Sequence, residues 1–258
     1  MKKAILVVSY GSTYPEAVHN AIEATEADIQ AAFPAYDVRR AFTGDRIRKS
    51  LAAQGILSDS PAEALARLAD DGYTSVFVQP THIISGGEYE KIAAAVEACR
   101  DRFTQIALGT PLLHTTADIE AICRFFHSHY DQTGDALLIM GHGSDHPSNQ
   151  LYSDFAQTAR SLGFSNMHIA TLEASPNLDD LIPHLQATGC HHVTITPLLF
   201  TAGGHACRDM AGDDETSWKS RLENAGFTVY PVVRGLGEYD DIRHLYVLHL
   251  QKLIDANP

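Results

Sequence analysis

Short apolar runs alternate along the chain with longer stretches whose apolar residues recur every three or four positions. The runs predict strands at 4–9, 36–42, 74–80, 105–110, 136–141, 167–172, 192–199 and 227–233. The periodic stretches predict helices at 15–33, 45–53, 60–71, 87–102, 116–130, 148–162, 177–188, 208–225 and 239–255. Alternation of strand and helix predicts parallel sheets flanked by helices. Runs such as Ala136-Leu137-Leu138-Ile139-Met140 carry no polar alternation, as strands buried on both faces require.

The pattern also repeats. Val7-Val8-Ser9-Tyr10-Gly11-Ser12 resembles Ile139-Met140-Gly141-His142-Gly143-Ser144. The segment from Gln79 to Glu88 resembles that from Thr196 to His205, each with a proline early and a Gly-Gly pair late. Both matches predict an α/β fold of two similar lobes, an internal duplication, each lobe a parallel sheet flanked by helices with an active-site cleft between them. The polar stretch from Tyr130 to Asp135 is the natural joint, giving lobes of 1–132 and 133–258. The lobes differ in chemistry: Tyr10 stands where the second has His142, and Glu88 where it has His205.

His142, Glu173 and His205 each follow a predicted strand of the second lobe. In doubly wound sheets, ligands bind outside the carboxyl ends of the strands. Two imidazoles and a carboxylate suit a divalent transition metal better than magnesium or calcium, which take all-oxygen shells. Flanking glycines leave His142 uncovered, and a neutral imidazole can also accept a proton near neutral pH. Cys207, two residues beyond His205, reads as a buried thiol rather than a ligand. His82 lies at a strand end of the first lobe and is a candidate for a ligand or a subunit contact. The remaining histidines lack a glycine frame and read as structural or solvated.

Composition narrows the partners. The chain has 258 residues, 45% hydrophobic and 20% charged, enough for one or two packed cores. A formal charge of −13 argues against nucleic acid, which needs a basic surface. Four scattered cysteines form neither a zinc ribbon nor a disulfide framework, so a reducing cytoplasm is expected. The opening apolar run is too short for a signal peptide, and no run approaches a membrane span. No phosphate loop, dinucleotide fingerprint, H-E-x-x-H or nucleophile elbow occurs, so no nucleotide is expected. Arg46, Arg48 and Lys49 make a local basic cluster that can hold carboxylates, or merely face solvent.

On these residues the chain resembles the class II tetrapyrrole chelatases, most of all the anaerobic cobalt chelatases that act on sirohydrochlorin in cobalamin biosynthesis. The resemblance runs through ILVVSYGS, RRAFTGDRIRKSL, VFVQPTHIISGGEYEKI, LIMGHGSDHP, IATLEASP and TPLLFTAGGHACRDMAGDDETSWKSRLE. It implies ATP-independent insertion of Co²⁺, a substrate metal, by His142, Glu173 and His205. Tyr10 and Glu88 would then line the macrocycle site, and Arg46, Arg48, Lys49 and Arg208 would clamp its carboxylates. Fe²⁺ and Ni²⁺ are alternative metals, and iron insertion for sirohaem or haem is the rival activity. Some relatives bind haem between subunits; His82 would be the contact here, and a homo-oligomer is compatible with that. A metal or haem carrier without turnover and an open-site zinc hydrolase are the readings from other classes.

Overall fold

The computed structural model describes residues 2–130 and 135–258. They form two compact units, each around its own parallel four-stranded sheet. The first sheet holds β1 (Lys2–Ser9), β2 (Asp37–Phe42), β3 (Tyr73–Pro80) and β4 (Gln105–Leu108) in the order β2-β1-β3-β4. The second holds β5 (Ala136–Gly141), β6 (Met167–Thr171), β7 (His192–Pro197) and β8 (Thr228–Pro231) in the order β6-β5-β7-β8. All eight predicted strands are present. Two end early at prolines, β7 at Pro197 and β8 at Pro231, which have no N–H for a ladder.

The helices between them are α1 (Pro15–Ala17), α2 (Ala24–Ala32), α3 (Asp45–Ala53), α4 (Pro61–Asp70), α5 (Gly87–Cys99), α6 (Thr116–Tyr130), α7 (Gln150–Ser161), α8 (Leu178–Thr188), α9 (Trp218–Asn224) and α10 (Asp240–Asp255). A π-helical turn, Val18–Glu23, joins α1 to α2. Local chemistry sets their ends. Ser60 and Glu63 cap α4 reciprocally, with Pro61 in its first turn. Asn177 caps α8, which stops at Gly189 in the left-handed region.

Strand register establishes the duplication. Val8 pairs with Pro80 across β1 and β3, and Met140 with Pro197 across β5 and β7. Ser9 faces Phe42, and Gly141 faces Thr171. The bonds beyond the strand ends match as well: Thr81 N–H donates to Val8 O at 2.9 Å, and Leu198 N–H to Met140 O at 2.8 Å. The two segment matches seen in the sequence are therefore equivalent backbone positions.

Two expectations change. The helix expected at 208–225 is broken. A π-helical turn, His205–Met210, is followed by non-helical residues, and α9 starts afresh. Ser217 makes the break: its side chain donates to Gly212 O at 2.7 Å and accepts from Ser220 N–H at 3.1 Å, capping α9.

The lobe boundary expected at 132/133 lies outside the described residues, and the units divide the chain elsewhere. One comprises Met1–Leu112 with Gly237–Pro258, the other Leu113–Leu236. So α6 belongs with the second sheet and α10 with the first. Packing explains this. Phe126 of α6 meets the Phe155 ring of α7 edge-on at 6.3 Å. Leu250 of α10 is fully buried with Ile5, Val7, Ile29, Phe33 and Phe77 of the first unit.

Leu250→Ala should therefore destabilise the first unit by about 2–5 kcal/mol, the usual cost of such a cavity. Urea unfolding measures it; a loss below about 1 kcal/mol, smaller than core Leu→Ala changes give, would contradict the packing of α10.

Candidate metal centre

The carboxyl ends of β5, β6 and β7 carry the three predicted ligands, all within the second unit. His142 follows β5 and sits before Gly143, whose φ is +81°. A Cβ there would lie 2.6 Å from Thr171 Oγ1, so only glycine lets the two loops close. Closure places the next candidate: Glu173 N–H donates to His142 O at 3.0 Å. His142 Nδ1 then stands 3.8 Å from Glu173 Oε2. His205 opens the π-helical turn beyond β7, and its ring is perpendicular to that of His142, with centroids 4.9 Å apart.

Hydrogen bonds orient both imidazoles. His142 Nδ1 donates to Gly143 O at 2.8 Å. A carbonyl only accepts, so Nδ1 carries the hydrogen and Nε2 of the neutral ring keeps its lone pair. His205 Nδ1 lies 2.6 Å from Asp209 Oδ2. The side chains of His142, Glu173 and His205 are 43%, 58% and 44% exposed, so the end is open to an arriving ion. Glu173 also lines an open cavity of about 310 Å³ with Asn177, Trp218 and Arg221. Among the described residues, no three His, Cys, Asp or Glu side chains are already gathered as a metal-binding group. The triad is a neighbourhood of donors rather than a closed cage.

Other predicted residues fall into place around these. Arg208 is exposed on the π-helical turn, its guanidinium beside Gly204. Cys207 is partly buried, its thiol directed at Ala202 O at 3.7 Å.

The matching positions of the first unit are Tyr10, Gly44 and Glu88. Gly44 N–H donates to Tyr10 O at 3.0 Å, as Glu173 does to His142. A Cβ on Gly44 would come 2.6 Å from Tyr10 O, so this position cannot supply a carboxylate without displacing the tyrosine backbone. Glu88 is engaged by Lys91 at 2.7 Å, while its Oε2 is buried with no hydrogen-bond partner. Burial and the nearby Glu88 raise the pKa of Tyr10, against Lys91 and Arg46. Sequence reasoning missed Lys91 and Gly44. The (i, i+3) spacing of Glu88 and Lys91 was a visible signal; the role of Gly44 needs the register.

His82 turns inward. Its Nε2 lies 3.1 Å from Thr43 Oγ1, and its Nδ1 is buried without a partner. In the basic cluster, Arg48 is held by Asp45 at 2.8 Å and Glu63 at 3.0 Å, whereas Arg46 and Lys49 are exposed.

Comparison with known proteins decides the family. Residues 3–255 match the family described as CbiK, cobalt chelatase. The chain belongs to the CbiK cobalt chelatase family. A sirohydrochlorin cobaltochelatase of Salmonella typhimurium is 38% identical over 99% of this chain and 97% of its own. The sirohydrochlorin cobaltochelatase CbiKC of Nitratidesulfovibrio vulgaris is 37% identical over 99% and 92%. Among solved structures, SirB from Bacillus subtilis with Fe³⁺ aligns with a TM-score of 0.69 at 14% identity, covering 98% of this chain and 96% of SirB. That likeness establishes the shared chelatase fold.

Burial pushes the His82 pKa down to about 4 from its ordinary 6.5, despite the opposing pull of Glu88. Burial does the same to His168, helped by His184 and Arg160. Below pH 6.5 the unfolded chain takes up protons that these folded side chains refuse, so stability is lost as pH falls from 6.5 towards 4. His82→Gln should lose less stability across that window than the wild type, measured by urea unfolding at each pH. Parallel losses in the two proteins would contradict the neutral, buried state of His82.

Proposed function

We propose that this cobalt chelatase inserts Co²⁺ into sirohydrochlorin without nucleotide hydrolysis, with His142, Glu173 and His205 as passing ligands of the substrate metal. The observation that carries the residue assignment is that His142 stands beside both Glu173 and His205 at one open sheet end. Full-length likeness to two sirohydrochlorin cobaltochelatases supports the substrate. Four cysteines outside any disulfide suit a reducing, cytoplasmic compartment.

The chemistry follows from balance. As Co²⁺ enters, the macrocycle loses two pyrrole N–H protons, so the product carries the metal and two protons leave. His142 is the acceptor for one of them and solvent for the other: its Nδ1 is occupied by Gly143 O, so Nε2 takes the proton once it has released the metal. Glu173 and His205 hold the ion until the ring nitrogens replace them. An incomplete shell releases metal where four closed protein ligands would keep it.

Macrocycle contacts are assigned to Tyr10 and Glu88, with carboxylate clamps at Arg46, Lys49 and Arg208. Arg48 joins them only by releasing Asp45 and Glu63, which makes it the weaker clamp. The inward turn of His82 onto Thr43 leaves it no part in insertion.

Purified protein mixed with sirohydrochlorin and Co²⁺ should shift the Soret band over many turnovers, faster than with Fe²⁺ or Ni²⁺. His142→Ala should slow this on the order of 10²–10⁴-fold while remaining folded. Wild-type turnover by that variant would sink the assignment of His142. A fixed stoichiometry of retained metal with no Soret change would instead identify a carrier, and preference for Fe²⁺ would identify an iron chelatase.

A further inference from the structure

Insertion as described leaves one carboxylate at the metal end without a task. We propose that Asp209 is the positioning residue of His205, turning the ring so that Nε2 faces the arriving metal; this rests on His205 being a metal ligand. Asp209 Oδ2 lies 2.6 Å from His205 Nδ1. A carboxylate only accepts, so the hydrogen sits on Nδ1 and the lone pair of the neutral ring on Nε2. Metal-binding histidines commonly have such a partner, which fixes the ring and raises its basicity.

Backbone geometry explains how the carboxylate reaches that position. Ala211 N–H donates to Ala206 O at 3.2 Å, a bond spanning five residues, within the π-helical turn. Such a turn holds one more residue than an α-helical turn. At the equivalent place the first unit has the ordinary α-helix α5. Counted from the matching Gly-Gly pairs, Asp209 corresponds to Ile92, which is fully buried in the first core. In the second unit Met210, one position later, is fully buried in the core. The extra residue sends Met210 into the core and leaves Asp209, with its side chain 44% exposed, against His205.

The duplication adds an internal control. The unit that carries Glu88 in place of a histidine has no carboxylate at the Asp209 position, and its core is closed by Ile92 instead. The fold does not need an aspartate there. His142 meets the same requirement differently, through the Gly143 carbonyl.

Asp209→Ala, Asp209→Asn and His205→Ala are to be compared with the wild type in two assays. One is Co²⁺ titration without macrocycle, read by the visible absorption of bound Co²⁺. The other is steady-state turnover with sirohydrochlorin. Asp209→Ala should weaken Co²⁺ binding and raise its KM about 10- to 100-fold, with KM for sirohydrochlorin and the melting temperature unchanged. Asp209→Asn, which keeps an acceptor oxygen, should fall between. Wild-type Co²⁺ binding by Asp209→Ala overturns the proposal, as does a loss shared equally by both substrates with a lowered melting temperature. If Asp209→Ala does not fold, the isosteric Asp209→Asn decides by the same Co²⁺ criterion. His205→Ala separates the two readings. Wild-type behaviour in that variant removes the ligand assignment and the positioning role together; wild-type behaviour in the Asp209 variants alone removes only the positioning role.

Discussion

A parallel sheet must be covered on both faces, and that requirement organises this chain. Each unit builds a four-stranded parallel sheet from one continuous run, yet neither run carries all the helices its sheet requires. The missing cover comes from beyond a crossing point. After Leu112 the chain leaves the first unit and α6 completes the second; after Leu236 it returns, and α10 completes the first. The crossings are equivalent: Leu112 N–H donates to His82 O at 2.9 Å, and Leu236 N–H to Leu199 O at 2.8 Å. Because of this exchange, neither half of the sequence can close its core alone, and the joint suggested by the polar stretch from Tyr130 to Asp135 is not where the units divide.

The same duplication fixes the backbone of both strand-end sites and leaves their chemistry free to diverge. Tyr10 and His142 occupy one position, Gly44 and Glu173 another, Glu88 and His205 a third. The backbone hydrogen bond joining the first two persists while the side chains change; at the third, a π-helical turn replaces the α-helix. One unit ends with imidazole and carboxylate donors open to solvent. The other ends with a phenol and a carboxylate already engaged by the Lys91 ammonium. Behind these positions the difference continues: Thr43 and His82 form a polar pair in the first unit, where Leu172 and Leu199 pack against the core of the second.

Much of this was legible in the sequence, because strands buried on both faces read as unbroken apolar runs. That made all eight strands visible, the repeat, and the three donors of the second unit. What stayed hidden depends on backbone geometry. Nothing in residues 208–225 marks a π-helical turn, so the stretch reads as one helix. Gly44 looks like any loop glycine until the register sets it opposite Glu173. The allegiance of α6 and α10 is a matter of long-range packing, and their amphipathic pattern says only that each has a partner.

An arrangement of donors that falls short of a cage is what a transfer reaction asks for. Closed structural zinc sites bind with about 10–16 kcal/mol, and about 12 kcal/mol already corresponds to nanomolar retention. A protein that held its substrate metal so firmly would impose that cost on every insertion. Here two imidazoles and a carboxylate stand near one another, half exposed, the imidazoles oriented by a backbone carbonyl and a carboxylate, with Glu173 beside His142. Were these the ligands of the substrate metal, exposure would keep their desolvation small and let them be exchanged one at a time as ring nitrogens replace them. Orientation without enclosure would make such a site specific in geometry and weak in affinity. On the proposed ligand set, the value of Gly143, of the π-helical turn and of Asp209 would lie in where they aim the donors, not in how tightly the donors bind.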